Sequence, residues 1–338
     1  LNNRPTEKIG FFAPPDNVAV GIEFNAKVLL ILNMHNTGIA TVQPPYLKKG
    51  DKIAITCPAK KLPAPMTDAV KLLQSWGLEV DLGDTVTASY HQFAGDDDMR
   101  AADMQRFVDD DSIKAIIAAR GGYGTVRMID KVDFSRLQQS PKWLVGFSDI
   151  TLLHSHLLRN YNLQSIHGQM PMNIPDASAR SLETLRKALF GEELNYEFRS
   201  NTVGRNGNSG GVLTGGNLSL LIAALGSVSD VDYSGKILFI EDVGEYLYSI
   251  DRMLFTLKRA GKLQNLAGLI VGGFTGIKDN DIPFGQNVPE IVMNIIKEYN
   301  YPVCFDFPAG HIPDNCSLVM GREMKMDVNG SNALISYC

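Results

Sequence analysis

Residues 142–158, KWLVGFSDITLLHSHLL, run apolar through Trp143, Leu144 and Val145, turn at Gly146, and set Ser148 at the mouth of a helical pattern. A buried strand that turns sharply into a helix is the repeating unit of an α/β layer. The alternation extends upstream through KIAIT (52–56), MTDAVKLLQSWG (66–77), LEVDLG (78–83), DDDMRAADMQRFVDDD (96–111) and AIIAAR (115–120). Downstream, GGVLTGGNLSLLIAALGS opens a second half that carries KILFIED (236–242), SIDRMLFTLKRAG, GLIVGGF, VPEIVMNIIKEY and a β-rich tail from PVCFDF to ALISY. Strands alternating with helices predict mainly parallel pairing.

The expected fold is therefore α/β: an N-terminal Rossmann-like or flavodoxin-like domain with a parallel sheet, then a C-terminal β-rich α/β domain. The pattern loosens between residues 172 and 208, where one helix is flanked by loop composition ending in Gly and Asn. The expected division is an N-terminal extension (1–43), an α/β domain (44–171), a linker (172–208) and a second domain (209–338). A length of 338 residues suits two domains of ordinary size.

Hydrophobic content of 44%, a formal charge of −5 and a pI near 5.7 describe an ordinary soluble chain without a basic field for nucleic acid. Cys57, Cys304, Cys316 and Cys338 share no C-x-x-C spacing, so neither a zinc knuckle nor a redox pair is expected. The apolar run VLLIL (28–32) is too short to span a membrane and lies deep for a signal peptide. No metal, cofactor, nucleic-acid or membrane partner is expected, and the expected location is the cytoplasm.

Ligands of open α/β sheets bind at the carboxyl ends of strands, which selects RGGYG, GFSD, ED after KILFI, and AGHIPDN. Ser148 sits where a nucleophile elbow would hold it, with the Asp149 amide toward an oxyanion. Yet Ile150 occupies the last glycine position of G-x-S-x-G, and a serine before a helix is ordinarily an N-cap. A serine nucleophile needs a base, and the base a carboxylate. His154 and His156, two apart on one helix, face different ways. His35 and His91 lie in poorly patterned segments, and His167, after a short strand, could line the same cleft, with a hydrogen-bonded structural role as its default. His311, in a loop leaving a β run, is the better base. Glu241 or Glu245 could orient its imidazole, or Glu241 and Asp242 could simply cap the next segment. RGGYG lacks the spacing of a phosphate loop; its glycines suit either an oxyanion hole or a tight turn.

Taken in order, RGGYG, GFSDIT, IHGQMP, GGNLSLL, IEDVGEYLYSIDRML and AGHIPDN resemble the motifs of the LD-carboxypeptidase family, serine peptidases of the muramoyltetrapeptide and microcin-immunity type. The match spans about residues 44 to 325. It implies a Ser148–Glu241–His311 triad and an oxyanion hole from the amides of Gly122 and Asp149, with Gly121 as the alternative to Gly122. It implies a murein peptide substrate, with release of terminal D-alanine from the tetrapeptide during cell-wall recycling, and a homodimer is the expected assembly. The rival within the family is a microcin-immunity type hydrolase of peptidyl or aminoacyl nucleotides, whose aromatic loop is not evident because residues 172–205 contain no Trp. From another class, a non-enzymatic two-lobed small-ligand binding protein would share the layout without needing the three side chains together. Arg120, beside the glycine loop, is a candidate for the substrate carboxylate or for a structural ion pair.

Overall fold

A computed structural model describes residues 41–338; VLLIL, His35 and the extension up to residue 40 lie outside the described residues. The first sheet follows the strand order β11-β5-β4-β3-β1-β2. Its strands are β1 (Lys52–Thr56), β2 (Glu79–Leu82), β3 (Ile113–Ala118), β4 (Trp143–Gly146), β5 (Ser165–His167) and, from far downstream, β11 (Leu318–Met320). The first five pair in parallel, and β11 closes the edge antiparallel to β5. The 2-1-3-4-5 order is the flavodoxin-like one. It follows from near-continuous apolar strands such as Ile53–Ile55 and Ile113–Ala118, buried because helices cover both faces.

The second sheet runs β10-β9-β8-β7-β12-β13-β6. It comprises β6 (Asn195–Arg199), β7 (Gly207–Asn217), β8 (Ile237–Val243), β9 (Gly268–Thr275), β10 (Val303–Cys304), β12 (Glu323–Asn329) and β13 (Asn332–Tyr337). The long β7 serves two partners: its first half pairs antiparallel with β12, its second half parallel with β8. The segment 172–208 supplies the helix Ala179–Phe190, capped by Ser178 and ended by Gly191, and then β6. Strands β12 and β13 alternate buried and exposed residues, the signature of a sheet wet on one face.

One core cluster runs through both sheets, with Trp143, Val145 and Ile166 of the first continuous with Phe239, Ile270 and Met324 of the second. The two sheets therefore bury one another, and the carboxyl ends of β4 and β8 are held by shared packing.

Candidate active site

Ser148 follows β4 at a backbone φ of 64°, the left-handed region that a non-glycine residue enters only under constraint. Its side chain caps nothing: a short 3₁₀ turn over Ser148–Ile150 leads into the helix Thr151–Tyr161 without any side-chain cap bond. The N-cap alternative is thereby overturned. The missing fifth-position glycine also has a steric account. Gly146, with φ 157°, accepts the Ile150 side chain so closely that a Cβ there would stand 2.9 Å from Ile150 Cγ1. Gly146 fills the first glycine position of G-x-S-x-G, and its missing Cβ leaves the room that Ile150 takes at the last one.

Ser148 Oγ lies 3.0 Å from His311 Nε2, and His311 Nδ1 lies 2.7 Å from Glu241 Oε2. Three side chains from distant parts of the chain thus form one hydrogen-bonded line. Glu241 is fully buried. It stands at an irregularity of β8, where the pairing with β9 steps from Ile240↔Val271 to Asp242↔Phe274, so that Gly272 and Gly273 face one residue. A bulge of this kind re-aims side chains at a strand end.

Successive carboxylates then turn opposite ways. Asp242 accepts bonds from Asn217 Nδ2, from Ser219 N and Oγ, and from Val243 N, tying down the helix Leu218–Ala224. Glu245 bonds Ser249 and Ser219 instead of an imidazole. Glu241 is therefore the orienting carboxylate, and neither it nor Asp242 caps the next helix, Leu247–Arg259, which has no side-chain cap.

The His311 loop is set against Glu241 by Gly310, whose φ is 116° and whose Cβ, if present, would lie 2.9 Å from both Glu241 Cβ and Oε2. Only glycine permits that approach. The buried Asn315 accepts the Gly310 amide at 2.8 Å, and Thr275 Oγ1 donates to the His311 carbonyl at 3.2 Å. Phe147 packs edge-on to the His311 ring at 5.1 Å between centroids. Burial opposes protonation of His311; the Glu241 hydrogen bond and charge, with Asp242, outweigh it and raise its pKa above the usual value.

The glycine loop closes on the same place. A Cβ at Gly121 would lie 3.1 Å from Ser148 Cβ and 3.3 Å from the Asp149 nitrogen. The buried Asp149 carboxylate accepts the Thr125 amide at 2.9 Å, fixing this loop to the turn that bears Ser148. Burial raises the Asp149 pKa, opposed by Thr125, Arg100 and Lys60. Arg100, wholly buried, donates to the carbonyls of Pro58 and Gly124 and pairs with Asp97.

The remaining histidines stand apart. His154 bonds Ser165 and the Gly146 carbonyl, whereas His156 bonds Ser229. His167 is fully buried between Phe147 and Phe239. Burial drives its pKa down to about 3, which keeps it neutral. His91, at φ 54°, stacks edgewise on Tyr90. Arg120 forms no ion pair among the described residues; its Nη1 donates to the Lys61 carbonyl at 2.6 Å. Asn315, Arg100 and Thr151 had no role assigned from sequence. Asn315 carried a signal by lying in the His311 loop, while Arg100 sits in a charged helix that reads as a solvated face.

Residues 53–168 match the LD-carboxypeptidase N-terminal domain, and residues 210–326 match the LD-carboxypeptidase C-terminal domain. The chain belongs to the LD-carboxypeptidase family. Within that family it is 35% identical over 305 residues to a probable murein peptide carboxypeptidase of Bacillus subtilis, covering 87% of this chain and 94% of the relative. It is 28% identical over 292 residues to the murein tetrapeptide carboxypeptidase of Pseudomonas aeruginosa, covering 82% and 94%. Among solved structures, the muramoyltetrapeptide carboxypeptidase of Oxalobacter formigenes superposes with a TM-score of 0.77 at 28% identity, over 85% of this chain and 98% of that one. The microcin C7 self-immunity protein MccF shares the fold at a TM-score of 0.78 and 18% identity, over 89% and 99%.

Proposed function

We propose that this LD-carboxypeptidase family member is a serine carboxypeptidase that hydrolyses the L,D amide bond of murein tetrapeptide and releases terminal D-alanine. The observation that carries it is the line Ser148 Oγ–His311 Nε2–Nδ1–Glu241 Oε2, at 3.0 and 2.7 Å. The murein peptide carboxypeptidases among its relatives support the substrate class.

In this reading His311 Nε2 takes the Ser148 proton as Oγ attacks the scissile carbonyl, and the amides of Gly122 and Asp149 receive the oxyanion. Gly121 packs on Ser148 from the same loop and is the alternative donor. His311 then passes its proton to the departing amine of D-alanine. Water, deprotonated by His311, attacks the acyl-enzyme and releases the shortened peptide. Glu241 holds the Nδ1–H tautomer and stabilises the imidazolium.

The proposed setting is the recycling of wall fragments in the cytoplasm. The proposed assembly is a homodimer, measurable by sedimentation.

Two tetrapeptides with an L-centred diamino acid, one ending in D-alanine and one in L-alanine, are to be mixed in one tube and followed by mass. Only the D-alanine peptide should be consumed, because inverting the alanine drives its methyl or carboxylate into the pocket wall and misplaces the reacting atoms, and about 1 Å of error can cost roughly 100-fold. Equal consumption of both removes the L,D specificity. Inertness toward both, with cleavage of an aminoacyl nucleotide, would favour an immunity-type hydrolase.

A further inference from the structure

Beside the glycine loop lies a lysine that the triad does not use. The stem of Lys60 rests on Gly122: a Cβ there would meet Lys60 Cδ at 2.6 Å, Cγ at 2.9 Å and Cε at 3.2 Å. Gly121, one residue earlier, rests on Ser148. The two-residue loop is therefore held between the serine and the lysine stem.

Neighbouring cations are engaged. Lys61 Nζ donates to Ser89 Oγ at 3.0 Å, Arg127 pairs with Asp97 at 2.8 Å, and Arg100 is spent on Asp97 and three carbonyls. Lys60, a half-buried residue, forms no ion pair among the described residues. The carboxylate that feels its charge, Asp149, is buried and bound to the Thr125 amide. The Lys60 backbone is fixed as well: residue 60 bridges Phe93, the Lys61 amide donates to the Gln92 carbonyl at 3.0 Å, and Arg120 donates to the Lys61 carbonyl.

We infer that Lys60 receives the terminal carboxylate of the substrate, and that this contact makes the enzyme a carboxypeptidase instead of an endopeptidase. The inference rests on the function proposed above. Its geometry is that of a one-residue leaving group. The leaving residue's carboxylate carbon is three bonds from the scissile carbonyl carbon, at most about 3.8 Å away. The Lys60 stem lies against Gly122, in the same two-residue loop whose Gly121 packs on Ser148, which sets the cation beside the reacting serine. The distal carboxylate of a diamino acid lies at the end of its own side chain, several bonds further from the reacting carbon. A charge-assisted bond of this kind also rewards the free acid over any amide or extended peptide.

The test compares kcat/KM for the tetrapeptide free acid and its C-terminal D-alaninamide in wild type, Lys60→Met, Lys60→Arg and Lys61→Met. Methionine keeps the stem over Gly122 and removes only the charge. The free-acid preference should fall about 10- to 100-fold in K60M, chiefly through KM. It should stay within a few-fold of wild type in K60R and be unchanged in K61M, which deletes an adjacent charge pointed at Ser89. A K60M enzyme with the wild-type preference overturns the inference, and so does a K61M enzyme with the same loss. Repeating the series with lysine replacing a carboxylate-bearing diamino acid separates the sources. A K60M defect confined to the carboxylate-bearing peptide assigns Lys60 to the side-chain carboxylate and overturns the assignment to the terminus. If wild type cleaves no tetrapeptide, the proposed function falls and this inference with it; if wild type cleaves and only the ratio is unmoved, Lys60 alone is misassigned.

Discussion

The Asn217 amide donates to the Thr151 hydroxyl at 2.9 Å, joining the helix that follows Ser148 to the end of β7. Gly216 lies so close that a Cβ there would stand 2.5 Å from the same hydroxyl. Asn217 is also the β7 residue in register with Glu241 on β8. A single joint thus ties the serine-bearing turn of one sheet to the carboxylate-bearing strand of the other, and His311 spans what it holds together.

Ser148→Ala should lose about a millionfold in kcat and remain folded. Its hydroxyl caps no helix, so stability should change by no more than about 1 kcal/mol. Thermal unfolding and a burst-free progress curve check the two halves. A folded variant that retains a tenth of wild-type activity would remove Ser148 from the role of nucleophile.

The pH dependence follows from the raised pKa of His311. The base must be neutral, so kcat/KM should climb to a plateau through an apparent pKa above about 6.5. Glu241→Gln removes the bond and the charge that raise it; burial then dominates, and the apparent pKa should drop while kcat falls roughly ten-thousand-fold. The stability linkage has the sign of a raised histidine. The pair's contribution is complete below the unfolded-state value near 6.5 and is lost as pH rises through the folded-state value. An acidic limb that does not move in E241Q would detach the carboxylate from the histidine.

Gly310→Ala should be disproportionately damaging for a single methyl. It forces a side chain onto φ 116° and against Glu241, with a cost of about 1–3 kcal/mol. Any yielding moves Glu241 or His311, so kcat should fall at least about 100-fold beyond what lost folded protein explains. Active-site titration with a serine-directed phosphonate separates the two losses. Wild-type turnover per folded molecule would contradict the close packing.

Chelators should leave turnover unchanged. Among the described residues, no three His, Cys, Asp or Glu side chains gather closely enough to hold a metal ion. Incubation with phenanthroline followed by assay is sufficient, and activity lost and then restored by zinc would indicate a metallopeptidase.

The layers and the motif order are legible along the chain. Apolar runs at strand length, helical periods between them, and glycines after β3 and β4 are local properties, and local properties are readable along the chain. They set Ser148, Gly121 and Gly122 at strand ends. Tertiary structure decided which of two readings each residue takes. Whether Ser148 caps a helix or faces His311 depends on a partner 163 residues away, and the choice of Glu241 over Glu245 on a bulge against β9. The three-residue β11, which leaves the second half to edge the first sheet, is too short to carry any period. Arg100 reads as one charge on an acidic helix, yet it is wholly buried because two loop carbonyls converge on it. Pairing across long sequence separations is decided by packing of both partners at once, and no window of the chain contains that information.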